Sequence, residues 1–107
     1  MKKSYTFDRP WEVKSELTKI LDRELGRLEG FFDGGESNST SGIVYHIGDS
    51  TVLLRFHNDH QSKNNPVDAE LIIEAQSEKK IERDLRKFIS YLKKVNEGYD
   101  SSYVRQK

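Results

Sequence analysis

Two stretches of the chain carry apolar residues three or four positions apart, the spacing that places side chains on one face of an α-helix. The first stretch contains Val13, Leu17, Ile20, Leu21, Leu25 and Leu28, and the second contains Ile81, Leu85, Phe88, Ile89, Leu92 and Val95. This spacing predicts two amphipathic helices, each with an apolar face that has to be buried.

Residues that commonly begin or end helices stand at both ends of each stretch. Asp8 is a potential cap for a helix that Pro10 opens, and Gly30 marks the end of that helix. Ser77 is a favourable N-cap for the second helix, which Gly98 terminates.

Between the helices, apolar and polar residues alternate with a period of two, which is typical of half-buried strands. The alternation predicts strands at 43–47, 51–57 and 68–75, with polar loops at 33–42 and 57–66. Gly48-Asp49 predicts a two-residue hairpin turn, because glycine readily takes the positive φ that such a turn requires.

These elements predict an α+β fold in the order helix, three-stranded antiparallel sheet, helix. Both helices are expected on one face of the sheet, since that arrangement hides all three apolar faces. A chain of 107 residues fits one domain. We expect that domain at residues 10–98, preceded by a flexible arm at 1–9 and followed by a polar tail at 99–107.

Composition narrows the chemistry and the compartment. The chain has no cysteine, which excludes disulfides, thiolate metal sites and cysteine nucleophiles and favours a reduced compartment. No apolar stretch approaches the roughly 20 residues that span a bilayer, and no signal peptide is recognisable at the start. We therefore expect a cytoplasmic protein with no membrane partner, and no residue pattern predicts a cofactor.

Charge is balanced overall but separated along the chain. Residues 33–78 contain two basic and eight acidic side chains, whereas residues 79–107 contain nine basic and four acidic ones. The sheet region is therefore predicted to be acidic and the last helix basic, which offers two different faces to a partner.

The basic residues of the second helix fall on the side opposite its apolar face. They are Lys79, Arg83, Arg86, Lys87, Lys93 and Lys94. Such a row can follow nucleic-acid phosphates, although a simple solvated helix face has the same composition. The acidic counterpart comprises Asp59, Asp68, Glu70 and Glu74 in the sheet region. Carboxylates spaced like phosphates can occupy a basic groove of a partner.

Two metal-site hypotheses follow from the remaining polar residues. The order of elements resembles the core of the restriction-endonuclease-like superfamily, and that resemblance implies Mg²⁺ ligands at Glu24, Asp49 and Glu74, although Gln76 stands where the superfamily has a lysine. His46, His57 and His60 are candidates for a zinc site, but polar residues that bond the backbone explain them as well. We predict no catalytic residue and no bound metal.

One segment resembles a known family. Leu53-Leu54-Arg55-Phe56-His57-Asn58-Asp59-His60-Gln61-Ser62, followed by Val67-Asp68-Ala69-Glu70-Leu71-Ile72-Ile73, is similar to a segment of small phage and mobile-element proteins that include the broad-spectrum type II anti-CRISPR inhibitors of Cas9. The resemblance implies a non-enzymatic protein of the host bacterial cytoplasm. It implies Cas9 or another host nuclease, with or without its guide RNA, as the partner.

Three functions are therefore expected, in this order. The first is a nuclease inhibitor that binds through charged surfaces, with Arg55, Asp59 and His60 joining the acidic and basic residues named above as candidate contacts. The second is a nucleic-acid-binding accessory protein that uses the basic last helix. The third is an Mg²⁺-dependent nuclease. The oligomeric state stays open.

Overall fold

The computed structural model describes residues 1–34, 38–59 and 66–107. In chain order the elements are β1 (Lys2–Phe7), α1 (Pro10–Glu24), β2 (Glu29–Gly34), β3 (Asn38–Ile47), β4 (Ser50–Asp59), β5 (Asp68–Glu74), α2 (Glu78–Val95), a short 3-10 turn (Ser101–Tyr103) and β6 (Val104–Gln106). All six strands form one antiparallel sheet in the order β2-β3-β4-β5-β1-β6.

The prediction of a three-stranded sheet is wrong, because three further strands join it. The predicted strands are β3, β4 and β5, and β3 begins five residues earlier than expected, inside the predicted loop. The segment predicted as a flexible arm supplies β1, which pairs with β5 and β6. The predicted 33–42 loop supplies part of β2, and the predicted tail supplies β6.

Both helices pack on the same face of this sheet, and the core lies between the two layers. Tyr5 and Phe7 of β1 point into it beside Leu54 and Phe56 of β4. The ring of Phe7 packs edge-on against Phe56, with centroids 6.1 Å apart, and against Phe88 of α2, with centroids 6.0 Å apart. The segment predicted to be a free arm is therefore held in place by aromatic burial.

The two ends of α1 differ from the prediction. Arg9, not Asp8, occupies the N-cap position in a left-handed conformation, and no side chain caps the helix. The Asp8 carboxylate instead pairs with Arg105 beside β6. At the other end the helix stops at Glu24, because Gly26 adopts a φ of +73° and its N–H bonds the Asp22 carbonyl. Leu28 consequently lies outside the helix and is exposed.

The start of α2 and the β3–β4 turn follow the prediction. Ser77 Oγ accepts a hydrogen bond from the backbone N–H of Lys80. Gly48 adopts a φ of +60° between the paired strands. A Cβ at this position would overlap Oδ1 of Asp84 on α2. The turn therefore needs glycine for its backbone conformation and also for the close approach of the helix.

Replacing Gly48 by alanine is expected to destabilise the protein more than replacing Gly26. Gly26 also has a positive φ, but a Cβ there meets no atom within 4 Å. Gly26→Ala should therefore lower the free energy of unfolding by about 1–2 kcal/mol, from backbone strain alone. Gly48→Ala adds the collision with Asp84 and should lower it by at least about 1 kcal/mol more. Urea unfolding measures both, and equal losses would contradict the contact.

Candidate functional site

The outer face of α2 carries a row of cations that is directed at solvent. Ile81, Asp84, Phe88 and Leu92 are buried, so the opposite side of the helix faces away from the sheet. Lys79, Arg86, Lys87, Lys93 and Lys94 are exposed there, and the side chain of Arg83 is 41% exposed. From Lys79 to Lys94 the row is about 22 Å long, at a rise of 1.5 Å per residue.

Ion pairs divide these cations into two groups. Arg83 contacts Asp49 and Asp84, Lys87 Nζ lies 3.8 Å from Asp84, and Lys94 Nζ lies 3.7 Å from Glu24. Lys79, Arg86 and Lys93 make no ion pair with any residue that the structure describes. We refer to Lys79, Arg86 and Lys93 as the open cations, because their charge is available to a partner.

Arg83 has a structural role because it contacts the buried residue Asp84. Its carboxylate is fully buried, and it accepts hydrogen bonds from the Asp49 N–H at 3.1 Å and from Ser50 Oγ at 2.5 Å. Burial opposes its ionisation, but these bonds and the Arg83 guanidinium outweigh that effect and hold the pKa of Asp84 below its ordinary value. Asp84 thus fastens α2 to the β3–β4 turn.

Sequence analysis missed this role, although the sequence carries a signal for it. Asp84 stands three residues after Ile81 and four before Phe88, so it falls within the apolar face of α2. An acid at such a position has to find donors when the helix docks. The donors come from a distant turn, which helical spacing does not reveal.

Two shallow hollows lie along the row of cations and share Arg86. One, of about 300 Å³, is lined by Ser77, Lys79, Lys80, Arg83 and Arg86. The other, of about 270 Å³, is lined by Arg86, Ile89, Ser90, Lys93 and Ser101. Each hollow therefore presents two open cations together with at least one serine hydroxyl, which is a combination that suits phosphate oxygens.

Glu70, one of the predicted acidic contacts, is paired with neighbours in its own chain. Glu70 points to the side of the sheet that faces away from the helices, where Lys107 Nζ, His57 Nε2 and Arg55 Nη1 lie 3.1, 3.4 and 3.9 Å from its carboxylate oxygens. Burial alone would raise the pKa of Glu70, but these contacts lower it. Such a carboxylate is a poor mimic of a free phosphate.

The other predicted acidic contacts lie at separate places. Asp68 stands opposite His57 and Glu74 opposite Lys2 on the same side of the sheet. The side chain of Asp59 and the whole of His60 lie outside the described residues. The predicted contacts therefore occupy two opposite sides of the molecule, with the basic ones on α2 and Arg55, Asp68, Glu70 and Glu74 on the sheet.

The structure does not bring the proposed Mg²⁺ ligands together. Glu24 ends α1 and pairs with Lys94, and Asp49 lies in the β3–β4 turn and pairs with Arg83. Glu74 lies on the sheet side that faces away from both helices. Within residues 1–34, 38–59 and 66–107, no three histidine or acidic side chains are grouped as metal ligands.

The histidines that the structure describes are also separated. His46 is paired with Thr51 and His57 with Thr40, so the two lie near opposite ends of the β3–β4 ladder. Six residues of strand separate Thr51 from His57, which corresponds to about 20 Å. Nδ1 of His57 lies 3.0 Å from Thr40 Oγ1. Nδ1 of His46 lies 3.4 Å from the Ser50 carbonyl oxygen. Each of these two histidines thus has a local partner, and His60 lies outside the described residues.

A larger cleft lies where β1 meets α1, and sequence analysis did not anticipate it. It has a volume of about 520 Å³, and its lining includes Arg9, Trp11, Val67, Tyr103 and Arg105. The Trp11 side chain is half exposed beside it. The cleft depends on β1 and β6 joining the sheet. The sequence analysis predicted a free arm and a free tail in their place, so it could not predict the cleft.

No protein-family model matches the chain, and a sequence comparison with curated proteins also finds no match. No helix that the structure describes is long and apolar enough to cross a membrane. The arguments about function therefore depend on the geometry and charge given above.

Replacing Asp84 by asparagine is expected to lower the free energy of unfolding by about 3 kcal/mol at pH 7. The NH2 group of asparagine is itself a donor and cannot accept the hydrogen bonds that the Asp49 N–H and the Ser50 hydroxyl donate. The lowered pKa means that the carboxylate stabilises the fold above its ordinary pKa of 3.8 and loses this effect as the pH falls below it. The difference between the two proteins should therefore shrink towards pH 3.

Unfolding by urea at several pH values measures this difference. Glu82→Gln, on the exposed side of the same helix, is the matched control and should change stability by less than about 0.5 kcal/mol. A difference between wild type and Asp84→Asn that stays constant from pH 7 to about pH 3 would contradict the assigned role of the carboxylate.

Proposed function

We propose that the protein is a non-enzymatic binding protein that inhibits a host nuclease of the Cas9 type, and that it docks through the basic face of α2. The observation that carries the binding mode is the set of open cations Lys79, Arg86 and Lys93 along one helix. The nature of the nuclease is argued from the sequence resemblance alone.

Charge favours α2 over the sheet as the docking face. The sheet carboxylate Glu70 already lies near two cations, Lys107 and Arg55, and near the His57 ring, so a partner that needs a free carboxylate finds this one already paired. The open cations have no such competitor among the described residues. Binding of an anionic surface to α2 therefore releases counterions without breaking contacts within the protein.

The segments that carry the resemblance adjoin each other in the sheet. Residues 53–59 of the first lie in β4 and residues 68–73 of the second lie in β5. The two strands pair with Leu53 opposite Ile72 and Arg55 opposite Glu70. In this proposal the paired strands form the scaffold on which α2 packs, and the cations of α2 make the contact. A nuclease that carries a guide RNA offers phosphates as the matching anions.

Reversing charge at the open cations is expected to abolish inhibition. The double variant Arg86→Glu, Lys93→Glu places two carboxylates in front of an anionic partner, which should raise the concentration needed for half-inhibition by at least about tenfold. The measurement is cleavage of target DNA by a Cas9–guide complex at increasing inhibitor concentration. Several Cas9 orthologues should be compared.

The matched control is Lys2→Glu, Lys19→Glu, which changes net charge equally at exposed positions of β1 and α1. This control should inhibit as the parent does. If the parent leaves cleavage by every orthologue unchanged, the nuclease assignment fails. If both double variants lose inhibition equally, net charge and not the face of α2 is responsible.

A second function, binding of nucleic acid by the same face, is favoured by the length of the cation row. At 3.4 Å per nucleotide, about 22 Å matches roughly six phosphates of one strand. Parent protein should then bind single- or double-stranded nucleic acid directly, with an affinity that falls as salt rises.

Removing two open cations tests that second function. Arg86→Ala, Lys93→Ala should reduce the slope of log K against log salt by about 1.4–1.8, since each phosphate contact contributes roughly 0.7–0.9. Fluorescence anisotropy with labelled DNA and RNA measures the slope. No binding by the parent at low salt would exclude this function while leaving inhibition by protein contact in place.

A further inference from the structure

Within residues 1–34, 38–59 and 66–107, no layer packs on one face of the six-stranded sheet. Both helices cover the other face, and the residues that alternate with the buried ones point outwards. We call this side the open face. Val44, Leu53 and Ile72 lie next to each other across β3, β4 and β5 and are partly exposed there. An apolar strip on three central strands is unusual for a solvent-facing sheet.

An aromatic ring extends this strip towards the edge of the sheet. Phe31 of β2 stands opposite Gly42 of β3, and its side chain is 41% exposed. A Cβ at Gly42 would overlap the Phe31 ring, so the ring lies directly over the glycine. Apolar side chains therefore continue across the open face from β2 to β5, which suits contact with another sheet face.

Charges around the strip are arranged so that the open face complements itself. The centre of the strand order β2-β3-β4-β5-β1-β6 lies between β4 and β5. A two-fold axis along the strands at that point places β4 of one copy over β5 of another. Leu53 then faces Ile72 of the second copy, and Arg55 faces Glu70 of the second copy.

The same axis brings unlike groups together away from the centre. His57 faces Asp68 of the second copy, and Glu29 on β2 faces Lys107, which follows β6 beside Ser4. Glu74 faces the uncharged Thr51. No carboxylate on the described strands faces another carboxylate in this arrangement.

An axis across the strands does not have this property. If it passes through the row of Leu53 and Ile72, it superimposes each strand on itself in reverse. Glu70 then faces Glu74 of the second copy, and Arg55 faces Thr51. Like charges in contact oppose association. Of these two arrangements, the register of β4 and β5 favours the axis along the strands.

The area of the open face indicates how strongly two copies can associate. Six strands about 4.8 Å apart and about six residues long give a face of roughly 25 by 20 Å. Two such faces together remove about 1,000 Å² of flat surface from water, which is at the lower limit of specific interfaces. Association is therefore expected to be reversible and concentration-dependent.

We propose that the open face is the interface of a symmetric homodimer in which two copies stack sheet against sheet. Arg55 of each copy then faces Glu70 of the other, so the Arg55–Glu70 contact of 3.9 Å within each copy becomes part of a square of four alternating charges. This surface lies on the side opposite the basic face of α2. The dimer therefore does not depend on the function proposed above.

Two single charge reversals and their mixture test the proposal. Arg55→Glu places glutamate opposite glutamate twice in a homodimer, and Glu70→Arg places arginine opposite arginine twice. Each variant alone should dimerise at least about tenfold more weakly than the parent. Mixed in equal amounts, the two variants restore both unlike pairs across the axis, and the mixture should regain the association of the parent.

Sedimentation equilibrium over about 10 μM to 1 mM measures the mean mass, since a small interface is expected to associate in this range. The mixture contains the same chains as the separate samples, so a folding defect in either variant cannot produce the regain. The control pair is Lys19→Glu and Glu16→Lys, an exposed ion pair of α1, which should dimerise as the parent does, alone or mixed.

Three results would overturn the proposal. A parent that stays monomeric at 1 mM would leave the open face to a partner other than a second copy. A mixture that stays monomeric would show that Arg55 and Glu70 do not meet across an axis. A control pair with the same loss and regain would place the contact on α1.

Discussion

Burial of a single face of the sheet beneath α1 and α2 is the constraint on which the structure depends. Strands β1, β3, β4 and β5 direct their buried apolar side chains to the helices, and the aromatic contacts of Phe7 with Phe56 and Phe88 join β1, β4 and α2 across the core. The two helices cover only one side, and no other described element covers the second side. The surfaces available to partners follow directly from this one-sided architecture.

The same constraint determines which charges are structural. Where α2 docks on the sheet, Asp84 enters the buried layer and takes its hydrogen bonds from the β3–β4 turn, with Arg83 completing the cluster. The open cations make no such contact with the described residues. Arg86 and Lys93 therefore keep their charge for an external anion, and this division separates residues of the fold from candidate residues of function.

The two candidate surfaces lie back to back and have different chemistry. The basic face of α2 presents point charges along a convex helix and suits an anionic partner. The open face presents a flat apolar strip bordered by both signs of charge and suits a complementary flat surface. Because the whole sheet separates them, a dimer through the open face would display two basic helices on its outer sides, which is an arrangement that increases apparent affinity for an extended anion.

Local sequence determined the features that depend on local physics. The two helices, the capping role of Ser77, the glycine turn at Gly48 and strands β3 to β5 follow from periodicity and from backbone preferences of neighbouring residues.

Only the tertiary structure decided the rest. All six positions of β2 are exposed, and β6 is three residues long, so neither shows the alternation that marks a strand. β1 does alternate, but its pairing with β5 joins residues about 70 positions apart. The buried role of Asp84 and the neutralisation of Glu70 likewise depend on groups that meet only after distant segments have packed together.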